Sequence, residues 1–341
     1  MSFRNTQQLT ATIKEKAREF GYVSCGITDA SPFTEYLDAL EKRIQHYPDS
    51  SHLYQELREN GYPKKQAEWA QSVIVCVSRY GKYRIPQGLA QYFGKCYLAD
   101  GRLPYATEYH AADAFPAFLK ELGLSVTVPR LAMRWAAARA GLGQFGKNNF
   151  IFTAKNGSWI SIKTWLVNEV LDYDAPQTTS PCPDKCTRCI DACPTHALEG
   201  PFMMNYGRCI AHLTFHLTTL PPEVVRKSMR TWMYGCDVCQ NVCPLDQGKW
   251  EQAEEFPQLD EISPQLTLDR LFRMTQPVYE EIIQPRFWYI GKEHLWVWKS
   301  NALRAMANSG EARYRPLIKE ACNDPDERIK QMARWAEQRI G

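Results

Sequence analysis

The 341-residue chain is 44% hydrophobic and 23% charged, with no low-complexity tract and no long charge block, which excludes a disordered protein and suits two or three cored units. Its formal charge of +3 gives no general case for nucleic-acid binding, and no stretch approaches the roughly 18 uninterrupted apolar residues of a membrane span. The opening MSFRNTQQLTATIKEKAREFGY has neither an apolar signal core nor a twin arginine, so the expected location is the cytoplasm, where twelve cysteines are not a disulfide framework. Residues 1 to about 170 read as alternating helix and strand. Helical periodicity covers Thr6–Glu19 and Pro32–Tyr47, a buried strand follows at Ser72–Ser78, and a further helix spans Ala111–Leu122. The helical stretch Arg134–Ala140 runs into Gly141-Leu142-Gly143-Gln144-Phe145-Gly146-Lys147-Asn148. A hairpin is then predicted from Phe150–Ala154 through Lys155-Asn156-Gly157 to Ser158–Val167, since Asn and Gly tolerate the positive φ of a tight turn.

The glycine loop matches G-x-G-x-x-G, but a dinucleotide fingerprint follows a strand and opens a helix. Here it follows a helix and precedes a hairpin. It therefore reads as a helix stop with a tight loop, or as bare backbone laid against another large cofactor.

Eight cysteines fall within 62 residues, as Cys182, Cys186, Cys189, Cys193-Pro194 and then Cys209, Cys236, Cys239, Cys243-Pro244. Both groups end in C-x2-C-x3-C-P, the bacterial ferredoxin run for two [4Fe-4S] clusters, in which the last cysteine of each run serves the other cluster. The crossing assigns Cys182, Cys186, Cys189 and Cys243 to one cluster and Cys193, Cys209, Cys236 and Cys239 to the other. Three residues separate Cys182 from Cys186 where two are usual, which makes Cys182 the loosest assignment. The alternative, a pair of four-cysteine zinc sites, suits the ligand count but not the paired proline endings. Each cluster with four thiolates carries about −2, bringing the chain from +3 to about −1. Cys25, Cys76, Cys96 and Cys322 read as buried thiols.

His212 and His216 stand one helical turn apart with no third ligand near and read as packing side chains. The basic run Arg226–Arg230, with Lys249, reads as a solvated face. From His294 the chain is helical in a HEAT-like manner, ending in a helix with Asp324 as the expected N-cap, Pro325 at N1 and Glu327 at N3.

Together with Phe20-Gly21-Tyr22, Pro104–His110, Gly157-Ser158-Trp159, Cys209–Thr214 and Trp232–Cys236, the glycine loop and cysteine groups resemble the bacterial epoxyqueuosine reductases along nearly the whole chain. These are cobalamin-dependent iron–sulfur enzymes of tRNA modification, related to reductive dehalogenases. The resemblance implies an α+β fold: an α/β cobalamin-binding, reductive-dehalogenase-like domain at 1–172, a ferredoxin-like two-cluster domain at 173–255 and a HEAT-like helical tail at 256–341. It implies a base-off cobalamin, an electron donor such as ferredoxin or flavodoxin, and tRNA as a partner held in part by the tail. Candidate cofactor contacts are Tyr109, His110, Thr127, Gly143, Lys147, Asn148 and Ile151. The family's acid, the proton donor for epoxide reduction, falls on Thr127, whose hydroxyl can relay a proton but not act as a carboxylic acid. Thr127 and His110 are the catalytic candidates, with Glu108 and Asp113 as other acids within reach. Either another acid is recruited or the substrate differs. The alternative function is an electron-transfer or reductive-activation protein with no substrate of its own.

Overall fold

The computed structural model describes residues 5–340. The first helix, α1 (Thr6–Glu19), starts where the Asn5 side chain accepts the Gln7 N–H, and it buries Leu9, Ile13 and Ala17 along one stripe. Gly21, at φ +86°, turns the chain into β1 (Ser24–Asp29). After α2 (Thr34–His46) comes β2 (Ser72–Arg79), whose run of valine and isoleucine is buried on both faces. The next elements are α3 (Thr107–Glu121), β3 (Val126–Thr127), α4 (Met133–Arg139), β4 (Gln144–Phe145), β5 (Ile151–Phe152) and β6 (Ile160–Val167).

The main sheet has the order β1-β2-β6-β3, with every pair antiparallel. Side-chain alternation divides its residues between two cores. Ile74, Cys76, Trp165 and Val167 pack with Ile13 of α1 and Phe115 and Leu119 of α3. Val73, Val75 and Leu166 pack with Phe33, Tyr36 and Leu40 around α2 and with Ala136 and Ala137 of α4.

The predicted hairpin is present as a turn but not as a strand pair. Thr153 and Gly157 exchange backbone hydrogen bonds, with Gly157 at φ +58°. β5, however, pairs with β4, and β6 enters the main sheet between β2 and β3. The fully buried second half of β6, Thr164–Val167, needs cover on both faces, which a lone hairpin cannot give.

The third core is the largest and joins distant parts of the chain. Residues between Tyr80 and Ala106 pack with Phe215 and Tyr234 and with the terminal helices α5 (Leu295–Ser309), α6 (Arg315–Ala321) and α7 (Glu327–Ile340). Buried Arg304 of α5 donates to the carbonyls of Arg230 and Trp232, and Asn301 to those of Thr214 and Met233. The last helix is capped by Asp326, not Asp324. Asp326 accepts the Arg328 N–H at 2.9 Å, while Asp324, two residues earlier, accepts that of Asp326. No helix among the described residues is long and apolar enough to cross a membrane.

Candidate functional site

The eight cysteines of the two runs border two spaces. Cys182, Cys186 and Cys189 line one together with Cys243, from the far end of the second run. Cys193, which ends the first run, lines the other together with Cys209, Cys236 and Cys239. The exchange is built locally. In each run the C-x2-C turn leads into a single helical turn, Arg188–Asp191 or Val238–Asn241, and the last cysteine leaves from its end. The two short helices pack against each other, so each delivers its last sulfur to its neighbour's side.

Burial pushes the Cys243 thiol up to about 11, with further opposition from Cys182 and Cys189. Burial pushes Cys236 and Cys239 well above the ordinary thiol range, and Cys209 and Cys193 add to it. Bare thiolates are disfavoured here, and iron would supply the positive charge that holds them. Among the described residues no three His, Cys, Asp or Glu side chains close on the position of one ion. The second set instead surrounds a cavity of about 280 Å³, a donor arrangement that fits a cubane better than a tetrahedral zinc.

Two residues of the glycine loop serve these spaces. The Lys147 amide donates to Cys182 Sγ at 3.4 Å, and its ammonium donates to the carbonyls of Pro183, Asp184 and Cys186 at 3.0, 2.6 and 3.0 Å. Lys147 thus straps the three-residue Cys182–Cys186 loop. Asn148 borders both spaces and donates to the Cys239 carbonyl at 3.2 Å. The glycines have a packing role. Gly141, at φ +68°, ends α4, and a Cβ at Gly143 would stand 2.6 Å from the Phe152 carbonyl oxygen. The small size of Gly143 is required by the β4–β5 pair, and that of Gly141 by the close approach of the Ala175 carbonyl.

A groove lies beside the second cysteine space and shares Cys96, Arg134 and Phe150 with it. Two adjoining cavities form it, of about 260 and 390 Å³, joined through Arg102, Met133 and Lys163. Met133, Phe150, Ile151, Ile160 and Ile162 give it an apolar wall, and Arg79, Arg102, Arg134 and Lys163 give it cationic donors. A corrinoid, with its broad ring and amide fringe, suits such a lining. Among the candidate contacts, Tyr109 and Ile151 border the groove. Lys147 and Asn148 face the cysteines, His110 is exposed on α3, and Gly143 is buried under β5.

The acids divide by their partners. Thr127 is fixed in β3 opposite Leu166 and borders neither cavity, whereas Val128 and Pro129 just after it do. Glu108 accepts Tyr83 Oη at 2.8 Å and pairs with Lys82 at 3.3 Å. Asp100, which sequence reasoning missed, is gripped by Arg102 through both carboxylate oxygens. Asp113 borders the groove from its exposed side. Lys163 lies in both cavities, and burial lowers it from the ordinary lysine range, with Arg102 lowering it further and Asp100 opposing. Only its place in a strand pattern marked Lys163 in the sequence, as a charge amid apolar residues.

His212 and His216 lie 5.1 Å apart as packed rings, with His212 also against Tyr206, and burial lowers His212 to about 4. The basic run is spent locally. Arg226 donates to the Pro221 carbonyl and Lys227 pairs with Glu223.

Residues 182–246 match the family model of a 4Fe-4S double cluster binding domain. The epoxyqueuosine reductase of Cellulophaga algicola is 31% identical over 289 residues, covering 80% of this chain and 90% of that protein. That of Staphylococcus aureus is 29% identical over 347 residues, covering 97% and 89%. Among solved structures, the Bacillus subtilis epoxyqueuosine reductase with its catalytic aspartate loop swung out of the active site aligns at a TM-score of 0.84, with 27% identity, over 99% of this chain and 91% of that one. An epoxyqueuosine reductase in complex with an epoxyqueuosine-modified tRNA-Tyr stem loop aligns at 0.82 with 27% identity, over 99% and 91%. An α+β fold and a two-cluster cysteine module, matched over most of its length by relatives of one activity, place the chain in the epoxyqueuosine reductase family of iron–sulfur oxidoreductases.

Proposed function

We propose that this chain reduces epoxyqueuosine in tRNA, with two [4Fe-4S] clusters on the crossed cysteine sets and a cobalamin in the groove beside β6. The carrying observation is the wall of Cys96, Arg134 and Phe150 common to the second cysteine space and the groove. Cys193, Cys209, Cys236 and Cys239 would hold the cluster nearer the groove, and Cys182, Cys186, Cys189 and Cys243 the one nearer an external carrier such as ferredoxin or flavodoxin. The bound corrinoid would supply a low-potential cobalt centre for reductive chemistry. The groove's apolar wall would lie against the ring, and its arginines and Lys163 would reach the polar fringe and the substrate. The tRNA assignment draws on the relatives' names and on the stem-loop complex of one of them.

The test is anaerobic reconstitution with iron, sulfide and cobalamin, followed by single-turnover reduction of an epoxyqueuosine-containing stem loop. Expected are about eight irons per chain, a cob(II)alamin EPR signal without lower-ligand nitrogen splitting, and conversion to queuosine. A protein with both clusters intact that retains no cobalamin would be an electron-transfer protein instead.

A further inference from the structure

The proposed reaction needs an acid, and the position the family resemblance assigns to it holds Thr127, outside the groove. We propose that the Lys163 ammonium supplies the proton to the departing epoxide oxygen. This rests on the reductase reading above and adds to it a proton source on a different strand.

Geometry carries the case. Lys163 is the middle of β6, opposite Cys76 of β2, and its side chain is one of three that line both cavities of the groove. It stands where the two spaces join, between the end that adjoins the second cysteine set and the end that opens past Val128. The neighbouring charges are committed elsewhere. Arg102 holds Asp100, Lys82 and Tyr83 hold Glu108, Glu251 pairs with Arg79, and Arg134 donates to the Asn149 carbonyl. Among the described residues no hydrogen bond or ion pair engages Lys163. Asp113 and Tyr109 face the same space from α3, on its more exposed side. Of these groups Lys163 is the cation at the junction with a proton to give.

Its surroundings favour giving it. Burial lowers Lys163 first, the Arg102 guanidinium lowers it again, and Asp100, already neutralised by that arginine, opposes only weakly. A lysine brought down toward the working pH is a better acid than an exposed one. Arg102 stays charged throughout and cannot substitute.

The balance is that of reducing an epoxide to an alkene. Two electrons from the external low-potential carrier and two protons enter, both C–O bonds break, the C=C bond forms and water leaves. Lys163 gives one proton to the oxygen as the first C–O bond opens. Solvent in the groove gives the second to the resulting hydroxyl as it departs, and then reprotonates the Lys163 amine.

Three measurements decide it, the first two on the cluster- and cobalamin-loaded chain. Single-turnover reduction of the epoxyqueuosine stem loop should fall about 10²–10⁴-fold in Lys163→Met, with iron content and cobalamin EPR unchanged. Lys163→Arg should be as slow, because an arginine keeps the charge but does not release a proton. Independently of turnover, competitive acetylation read by peptide mass spectrometry on the cobalamin-free, cluster-loaded protein should find Lys163 titrating below the ordinary lysine range. Lys163→Met within about threefold of the parent overturns the proposal, and so does full activity in Lys163→Arg, which would leave Lys163 a merely positioning charge. A natural protein that reduces no epoxide overturns the substrate reading, and the proton role with it. An active natural protein with an indifferent Lys163→Met overturns the proton role alone.

Discussion

The two cysteine sites use the same sequence device and end in opposite surroundings. The first, around Cys182, Cys186, Cys189 and Cys243, is a tight space held by the Lys147 ammonium across three carbonyls of an exposed loop. The second, around Cys193, Cys209, Cys236 and Cys239, is roomier, walled by Tyr97, Phe215 and Tyr289, and shares the wall of Cys96, Arg134 and Phe150 with the groove. Burial acts harder on its thiols, with Cys236 and Cys239 pushed well above the thiol range while Cys243 rises to about 11. On the function proposed above, electrons would enter at the strapped site and leave from the site beside the groove.

The largest effect should come from crossing that division. Cys193→Ala lies in the first run but should cost the second cluster, taking iron from about eight to about four per chain and abolishing reduction of the stem loop. Loss of the cluster around Cys186 and Cys189 would reverse the assignment.

A smaller effect, confined to the first site, is expected of Lys147→Met. Losing a charged donor from three carbonyls should cost about 2 kcal/mol of local stability and hasten iron loss to a chelator from that cluster only. Equal loss from both clusters would mean that the strap supports the module as a whole.

Asn148→Ala sits between the two sites and removes its donation to the Cys239 carbonyl, so it should cost about 1 kcal/mol and disturb the second cluster's spectrum more than the first's. Asp326→Ala should cost about 1 kcal/mol by thermal melting and change neither cluster, because it removes the cap of α7 and the Asp326–Arg328 ion pair, both far from the cysteines in sequence. A spectroscopic change there would show that the tail reaches the metal sites.

What could be read from the sequence tracks how local each feature is. The cysteine runs carry their own geometry in their spacing, and α1 is bounded at Thr6–Glu19 as its periodicity predicts. The groove has no such signature. Arg102, Arg134 and Lys163 belong to a loop, a helix and a strand, and only the sheet order β1-β2-β6-β3 brings them together. The same limit misplaced the partner of β5, since an Asn-Gly turn specifies a reversal but not which strand fills the next ladder. It also moved the expected contacts. Lys147 and Asn148 sit in a glycine loop that looks made for a cofactor, yet their side chains serve the cysteine sites. Asp324 and Asp326 are both cap-like residues two positions apart, and only the backbone path decides between them.

The core shared by residues 80–106 and the terminal helices has a consequence for the order of assembly during synthesis. Phe93 and Leu98 are buried in one body with Trp298, Met332 and Ile340, which follow far later in the chain. The segment carrying Cys96 and Arg102 therefore lacks a large part of its apolar cover until the helices from Leu295 onward have been synthesised. Insertion of a large planar cofactor beside that segment belongs after those helices have docked, while the sheet of β1, β2 and β6 can form much earlier. A nascent chain arrested before Leu295 should carry a folded sheet and an open, protease-sensitive stretch from Tyr80 to Ala106.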